Sequence, residues 1–311
     1  MDILAYGEPM LEFNQTGEDG GRRYLQGFGG DSSNFAIAAA RQGASVGYWS
    51  ALGDDANGRA LRQLWDAEGV DHRHVRSDAA AFTAIYFVTH GERGHDFHFY
   101  RSGSAASRVS PADVPTAAIS AAKVFHLSGI SLAISNSACD AGYAAIAAAR
   151  AAGVLVSFDT NLRLKLWSLD RARAVMGDVL RLTDIALPSW DDITAITGLS
   201  DPDAIVDHCL RLGAKVVALK LGAEGALVAG AKERHRIAPF PCQAVDATGA
   251  GDTFGGAFVA RRVAGDSLLD AGRYAAAAAA LSTQGHGAVA PIPRADAVHA
   301  ALTCAQARGI G

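Results

Sequence analysis

The chain has 311 residues, which is enough for one large α/β domain or for a domain with a small appendage. Half of the residues are apolar and 19% are charged, so we expect a packed globular core. The net charge is -4 and the basic residues are scattered, which excludes the basic footprint of a nucleic-acid-binding or membrane-surface protein. A small anionic ligand must therefore be held by local geometry.

The cysteines and the apolar stretches exclude two further classes. The four cysteines are far apart and form no C-x-x-C pair, so neither a zinc site nor a redox pair is expected. The N-terminus has an acid at position 2 and reads as a first strand, whereas a signal peptide has a basic start. The most apolar stretches are alanine-rich and interrupted by Arg, Asp or Gly, so none is expected to span a membrane. We expect a cytoplasmic protein with reduced thiols.

Short apolar runs alternate with longer helical patterns along the chain. Predicted strands cover residues 3–7, 45–50, 124–128, 154–159, 185–187 and 216–221. Predicted helices cover residues 32–42, 58–67, 137–152, 170–182, 202–212, 250–263 and 268–283. This alternation predicts a mostly parallel sheet with helices on both faces. Ligands bind beyond the carboxyl ends of the strands in such a fold.

Two segments interrupt the alternation. Residues 9–28 are rich in glycine and polar residues, and residues 82–101 alternate as two strands around a turn from Gly91 to Gly94. Strands without helices inside an α/β chain predict a small protruding sheet. We interpret it as a lid inserted in a single domain of residues 1–311. An ordinary edge hairpin with no gating role is the alternative.

The segment 245–258 follows a polar loop and opens a helix. Gly249, Ala250 and Gly251 have little or no side chain, so their backbone N–H groups can point at one phosphate group. The helix N-terminus adds a potential that favours negative charge. Asp252 follows in the first turn, where its carboxylate can take a proton from a hydroxyl that attacks phosphorus. Helix capping is the alternative role for Asp252.

This segment resembles the second signature of the ribokinase-like carbohydrate kinases, the PfkB family. The usual form is Asp-Thr-Thr-Gly-Ala-Gly-Asp, and here Ala247 replaces the first Thr. The resemblance extends in order from Gly7 to about Pro291. It implies a ribokinase-like three-layer α/β sandwich with a small β-sheet lid. It also implies that Asp252 is the catalytic base and that residues 249–251 form an anion hole.

The first family signature lies at residues 29–36 and opens an earlier helix. Glycine there lets the backbone approach a ligand, and the side chains of Asp31 and Asn34 can hydrogen-bond sugar hydroxyls. The Gly-Gly-Asp-x-x-Asn form resembles the 2-keto-3-deoxygluconate kinase branch. The resemblance implies that Gly30, Asp31 and Asn34 bind the substrate. Plain N-capping is the alternative role for Asp31.

Two glycine-rich turns resemble the nucleotide-binding elements of the family. Residues 216–228 predict a strand, a glycine turn and a second strand, and the Lys-x-Gly-x-x-Gly portion borders the phosphates of ATP in the family. A later Gly-x-Gly-Ala turn resembles the one near the adenine. The resemblance implies nucleotide-binding roles for Lys220, Gly222, Gly225, Gly285, Gly287 and Ala288. A surface position at the strand end is the alternative for Lys220.

ATP arrives with magnesium, a hard cation held mainly by phosphate oxygens and water. Many relatives have Asn-x-x-Glu after a mid-sheet strand, where this chain has Ser189 and Asp192. The resemblance implies that Asp192 binds magnesium indirectly, through water. A favourable acid in the first turn of a helix is the alternative role for Asp192.

Further candidate substrate residues lie after a central strand and in the lid. An Asp-x-Asn-x-Arg segment resembles that of the keto-deoxy-sugar-acid kinases, and its Arg163 can engage a carboxylate or a phosphate with two hydrogen bonds. Tyr86, Tyr100 and Arg101 resemble lid residues of the same branch, although Phe99 stands where that branch often has Tyr. A surface ion pair is the alternative for Arg163.

These residues predict ATP-dependent phosphorylation of the terminal hydroxyl of a keto sugar acid, with 2-keto-3-deoxygluconate converted to its 6-phosphate. The alternatives are a neutral-sugar or nucleoside kinase, such as a fructokinase, and a non-catalytic sugar-binding regulator. No Gly-Lys dipeptide and no G-x-G-x-x-G occur, which argues against a P-loop NTPase and a Rossmann dehydrogenase. The resemblance further implies a homo-oligomer formed through the lid sheet.

Overall fold

Strands and helices alternate along most of the chain. The structure, a computed structural model, describes residues 1–91 and 94–307. The strands are β1 Ile3–Tyr6, β2 Met10–Gln15, β3 Tyr24–Gly29, β4 Val46–Gly53, β5 Asp71–Asp78, β6 Ile85–Gly91, β7 Gly94–Tyr100, β8 Val124–Ser128, β9 Leu155–Asp159, β10 Ile185–Ala186, β11 Val216–Lys220, β12 Ala226–Gly230 and β13 Arg234–Ile237. The helices are α1 Asp31–Arg41, α2 Ala56–Glu68, α3 Thr116–Ser120, α4 Gly129–Ala133, α5 Asn136–Ala151, α6 Leu169–Arg181, α7 Trp190–Thr197, α8 Pro202–Leu212, α9 Ala250–Ala264, α10 Leu268–Ser282 and α11 Ala295–Ala307. Within these described residues, no helix combines the length and the apolar character needed to cross a bilayer.

The central sheet has nine strands in the order β13-β12-β11-β10-β9-β8-β1-β4-β5. All pairs from β11 to β5 are parallel, whereas β12 and β13 pair antiparallel at one edge. Two large apolar clusters join the sheet to the helices that cover it. The predicted mostly parallel α/β architecture is confirmed.

The predicted helices all occur, with ends shifted by no more than two residues. The predicted elements do not include β5, β13, α3, α4 and α11, and a helix at α7 was given only as the alternative role of Asp192. Strand β5 reads Asp-His-Arg-His-Val-Arg-Ser-Asp and lies at the free edge of the sheet. Charged side chains protect such an edge from pairing with another chain, and they also hide the apolar pattern of a strand.

A second sheet, here called the lid sheet, consists of β2, β3, β6 and β7 in the order β3-β2-β6-β7. Strands β2 and β6 pair parallel, and the two outer pairs are antiparallel. Strand β2 follows β1 closely and β3 leads into α1, so the lid sheet is attached at the carboxyl end of β1. The predicted small sheet is confirmed. Residues 92 and 93 of the predicted turn lie outside the described residues.

Helices α1 and α9 pack closely, which brings the two signature segments together. A Cβ built on Gly256 would lie 2.5 Å from the carbonyl oxygen of Phe35, so only glycine allows the two backbones to approach this far. The amino-terminal ends of both helices therefore open into one cleft at the carboxyl edge of the central sheet.

Candidate active site

The loop before α9 presents unpaired amide groups at the start of a helix. Gly249 caps α9 with a φ of 75°. A Cβ there would lie 2.9 Å from the Ala288 carbonyl oxygen, so the position requires glycine. The Ala250 amide, expected in the anion hole, instead closes a turn by donating to a carbonyl oxygen at 3.2 Å. Within the described chain, the amides of Gly249, Gly251 and Asp252 have no hydrogen-bond partner, so they are free to receive an anion.

Asp252 lies in the first turn of α9, and its carboxylate faces α1. It is not the helix cap, because Gly249 holds that position without a side-chain hydrogen bond. The Asn34 amide nitrogen Nδ2 donates to Asp252 Oδ2 at 2.8 Å. Burial raises the pKa of Asp252 to about 8, and the nearby Asp31 carboxylate adds to the effect. The hydrogen bond from Asn34 and the charge of Lys220 oppose this rise in the pKa.

The start of α1 brings the sugar-side candidates into the cleft. Gly30 has a φ of 97° and caps the helix, so Asp31 is not the cap. A Cβ on Gly30 would lie 2.3 Å from the carbonyl oxygen of Glu8, which requires glycine. Asp31 Oδ2 accepts a hydrogen bond from Asn161 Nδ2 at 3.2 Å. Asp31 Oδ1 and Asn34 Oδ1 are buried and have no partner in the part of the chain described, so they can accept from ligand hydroxyls.

The end of β11 directs a lysine toward the loop before α9. Lys220 Nζ pairs with Asp159 Oδ2 at 2.5 Å. A Cβ built on Gly251 would lie 3.6 Å from the same nitrogen, which is ordinary contact. The Lys220 side chain is 13% exposed, so it is not a surface lysine. The cation and the unpaired amides therefore lie on the same side of the cleft.

The two glycines of the turn between β11 and β12 have different structural roles. Gly222 and Gly225 both have positive φ, at 58° and 89°. A Cβ on Gly225 would lie 2.1 Å from the Ile237 carbonyl oxygen, whereas nothing lies within 4 Å of one on Gly222. Gly225 thus permits packing of the turn against β13, and Gly222 leaves its side of the turn open.

The turn at 285–288, predicted near the adenine, is tied to the loop before α9. Asp246 Oδ2 accepts from the Gly287 amide at 2.9 Å. Asp246 Oδ1 accepts from the Thr248 amide at 2.9 Å and from its hydroxyl at 2.6 Å. Burial acts to raise the pKa of Asp246, but these hydrogen bonds outweigh it and lower that pKa. Ala288 is buried beside the loop. The loop before α9 and the turn at 285–288 are therefore held as one unit.

Asp192, the candidate metal residue, faces the end of β9. Its Oδ2 accepts from the Ser189 hydroxyl at 2.6 Å and from the Thr160 hydroxyl at 3.4 Å. In the described ranges, no group of three or more His, Cys, Asp or Glu side chains could hold a metal ion. A single carboxylate fits a metal that is held mainly by phosphate oxygens and water.

A tyrosine and a glutamate of the lid sheet line the cleft. Glu12 and Tyr86 are neighbours in the parallel β2–β6 register, and both are buried. The Tyr86 hydroxyl donates to Glu12 Oε2. A Cβ on Gly29 would lie 2.4 Å from that hydroxyl, so Tyr86 lies against the first signature. Glu12 is not among the predicted site residues, because alternation along β2 does not show which face meets the cleft.

Arg101 enters the cleft from the end of β7 and meets a buried acid. Its guanidinium forms an ion pair with Glu8, which is fully buried and follows β1. Glu8 Oε1 also accepts from the Ser104 hydroxyl at 2.7 Å. The guanidinium lies over the Phe99 ring, 5.5 Å from its centroid, and its Nε is buried with no hydrogen-bond partner among the described residues. Glu8 is not among the predicted site residues, although its position directly after a central strand was the available signal.

Two candidate substrate residues do not join this cluster. Tyr100 pairs with Ile85 and therefore lies on the opposite face of the lid sheet from Tyr86. It is 59% exposed, and its ring packs edge-on against Phe87 with the centroids 5.8 Å apart. Arg163 is exposed and donates to the carbonyl oxygen of the preceding residue at 2.8 Å. Neither side chain contacts the base or the two signatures in this structure.

Comparison with protein-family models decides the class of the protein. A model described as the pfkB family of carbohydrate kinases matches residues 2–295. The chain belongs to the pfkB family. It is therefore a carbohydrate kinase, and the match spans both signature segments, the lid sheet and the central sheet.

Individual pfkB relatives differ in their sugars. The chain is 36% identical to the 2-dehydro-3-deoxygluconokinase of Thermoproteus tenax, over 94% of this chain and 92% of that protein. It is 34% identical to Fructokinase-1 of Oryza sativa subsp. japonica, with 94% of each protein covered. The crystal structure of a putative Ribokinase II from E. coli, in complex with ATP and Mg2+, matches with a TM-score of 0.90 at 29% identity, over 97% of this chain and 99% of that one. These likenesses agree on the fold and on the kinase class, while the named sugars differ.

Proposed function

We propose that this kinase phosphorylates the terminal hydroxyl of 2-keto-3-deoxygluconate, with ATP as the phosphoryl donor. The similarity to the Thermoproteus tenax enzyme supports the sugar acid. The buried guanidinium of Arg101 supports it too, because a planar guanidinium with an unpaired Nε suits a carboxylate. The related structure with ATP and Mg2+ supports the donor and the metal.

The observation that carries the proposal is the position of Asp252 beside the unpaired amides and Asn34. Asp252 takes the proton of the sugar hydroxyl while the hydroxyl oxygen bonds to the γ-phosphorus, and the bond from that phosphorus to ADP breaks. The amides of Gly249 and Gly251 stabilise the charge on the phosphoryl oxygens. Magnesium on the ATP phosphates would supply further positive charge, and Asp192 would hold it through water.

The lid sheet completes the site in this proposal. Glu12 and Tyr86 reach the sugar side of the cleft from the neighbouring strands β2 and β6. Movement of the lid sheet toward the central sheet excludes water, which limits hydrolysis of ATP without a sugar.

Substitution of the proposed base tests the mechanism. Asp252→Asn keeps the size of the side chain and removes the base, so turnover should fall by about 10²- to 10⁴-fold. Release of ADP, measured by a coupled assay, follows the turnover, and calorimetry should show that a non-hydrolysable ATP analogue still binds. Asp270→Asn is the matched control, because Asp270 is also a first-turn acid and is exposed at α10. Near-normal turnover of Asp252→Asn would remove Asp252 from the mechanism.

A substrate panel tests the sugar. We expect kcat/KM for 2-keto-3-deoxygluconate to exceed that for fructose. Arg101→Lys keeps the charge beside Glu8 but loses the planar fork, so it should lower kcat/KM for the sugar acid by about tenfold and for fructose much less. Arg163→Ala is measured in the same panel, so that the effects of the two arginines predicted to bind substrate are determined separately. A preference of the wild-type enzyme for fructose would select the fructokinase alternative, which the rice relative supports.

A further inference from the structure

Two charged side chains meet across a short strand in the central sheet. Asp159 ends β9 and Lys220 ends β11, and both strands pair with β10. Strands two positions apart are separated by about 10 Å, a gap that a long lysine side chain can cross. Because β10 has only two residues, the chain ends of β9 and β11 extend past it. The 2.5 Å contact between Lys220 Nζ and Asp159 Oδ2 spans this gap.

The burial of the pair argues against a purely structural role. The side chains of Asp159 and Lys220 are 5% and 13% exposed. A buried ion pair adds little net stability, because both charges lose their water. Asp159 Oδ1 is buried and has no hydrogen-bond partner in the described chain. Buried carboxylates usually form hydrogen bonds with both oxygens. Asp159 differs, because only its Oδ2 is paired, and the partner is Lys220.

The position of the ammonium group connects the pair to the loop before α9. Nζ of Lys220 would be 3.6 Å from a Cβ on Gly251. The amide of Gly251 is one of the unpaired donors at the start of α9. A cation and a free N–H therefore converge on one small region, which is suited to the oxygens of a phosphoryl group.

We propose that Asp159 is a positioning residue that holds the Lys220 ammonium beside Gly251, where the ammonium binds the phosphoryl group in transfer. This inference rests on the proposed roles of Asp252 and of the loop, and it does not depend on which sugar is bound. Without Asp159, the flexible lysine side chain samples other rotamers and the cation is misplaced.

The pair also faces the proposed base, Asp252. Its two charges therefore affect the pKa of Asp252, which an ion pair far from the site would not do. The charged and titratable groups around Asp252 are Asp31 on α1, Asp159 on β9, Lys220 on β11 and Tyr86 on β6. The negative charge of Asp159 acts to raise the pKa of Asp252, and the positive charge of Lys220 acts to lower it. Neutralising either partner should therefore move the acid limb of the pH–rate profile, in opposite directions.

The experiment measures kcat/KM for ATP against pH for Asp159→Asn, Lys220→Met and the double variant. Asp159→Asn should move the acid limb to lower pH and reduce kcat by about 10- to 100-fold through misplacement of the lysine. Lys220→Met should move the limb to higher pH and reduce kcat by about 10²-fold. The losses should not add in the double variant, because the two residues act as a unit. Calorimetry with a non-hydrolysable ATP analogue should show weaker binding to Lys220→Met.

A matched control lies at the amino-terminal end of β11. Lys215 precedes β11 and pairs with Asp184 at 2.9 Å, far from the carboxyl ends of the strands, and its side chain is 67% exposed. Lys215→Met should leave the pH profile and the affinity for the analogue unchanged.

Three outcomes are decisive. An unchanged acid limb and an unchanged kcat in Asp159→Asn would make the pair a structural contact and overturn the inference. If Asp159→Asn does not fold, Lys220→Met alone decides, since an unshifted limb with unchanged analogue affinity would also overturn it. Normal turnover of Asp252→Asn would instead overturn the proposed base, so the two failures are distinguishable.

Discussion

The neighbours of a single carboxylate decide what it does at neutral pH. Asp252 is partly buried next to Asp31, and both effects favour the neutral acid. The hydrogen bond from Asn34 holds one oxygen of the carboxylate, which leaves the other oxygen for a substrate hydroxyl. A base with a pKa near the working pH balances the fraction ionised against the strength of the base.

The pH dependence of the reaction follows from this pKa. Below about pH 8, which is the raised pKa, the carboxyl of Asp252 is mostly protonated, so the proposed base cannot accept the hydroxyl proton. We expect kcat/KM for the sugar to rise with pH, by about tenfold per unit in the acid limb, and to level off above about pH 8. Initial rates in a set of buffers of constant ionic strength measure the profile. A limb that levels off near pH 4, where an unperturbed aspartate titrates, would contradict the raised pKa.

The change of folding stability with pH gives a second test of the same pKa. The pKa of Asp252 is raised in the folded chain above its ordinary value of 3.8, so its contribution to stability is complete below pH 3.8 and is lost as the pH rises to about 8. Asp252→Asn lacks this loss. The Tm of Asp252→Asn should therefore gain on that of the wild type as the pH rises from about 4 to about 8.

At the scale of secondary-structure elements, the lid sheet holds Glu12 and Tyr86 next to the first signature segment. Strands β2 and β6 place Glu12 and Tyr86 in register, and β3 ends at Gly29 against the tyrosine hydroxyl. The opposite face of the lid sheet carries a cluster of aromatic rings that includes Phe87 and Tyr24. One face therefore serves the cleft and the other is partly exposed.

Removal of the Tyr86 hydroxyl tests the cleft-facing role. Tyr86→Phe removes the hydroxyl that donates to the buried Glu12 carboxylate, so KM for the sugar should rise by about tenfold with a smaller change in kcat. Tyr24→Phe removes the same group from the outer face and should leave KM unchanged. Steady-state kinetics with varied sugar compare the two variants. Equal effects of both substitutions would assign the change to the stability of the lid sheet.

At the scale of the whole molecule, α1 links the first signature segment to the packing behind the turn at 285–288. Its first turn carries Asp31 and Asn34, and its last residue, Arg41, pairs with Glu68 of α2 at 2.7 Å. Arg41 also donates to the Val289 carbonyl oxygen at 3.0 Å, just after the turn at 285–288. This buried network ties three separate segments together.

Loss of Arg41 should destabilise the fold strongly. Arg41→Met leaves the buried Glu68 with only the exposed Arg294 at 3.3 Å, so the free energy of unfolding should fall by about 3–5 kcal/mol. Arg234→Met removes an arginine whose pairs with Asp203 and Asp207 are partly exposed, and it should cost no more than about 1 kcal/mol. Urea unfolding, followed by circular dichroism, measures both. A small effect of Arg41→Met would show that the carbonyl oxygens and Glu68 find other donors.

The sequence by itself determined the alternation of strands and helices, the bounds of the main helices and the position of Asp252 at a helix start. These features depend on local periodicity and on glycine, whose preferences act over a few residues. The edge strand β5 was not predicted, because its charged side chains show no apolar alternation.

Only the tertiary structure decided which side chains meet. Tyr86 and Tyr100 look alike in the sequence, but the strand register turns one into the cleft and the other out of it. Likewise Asp159 and Lys220 are 61 residues apart and meet because their strands flank β10 on either side. Such encounters depend on strand order and register, which are set by packing over the whole chain rather than by any local run of residues.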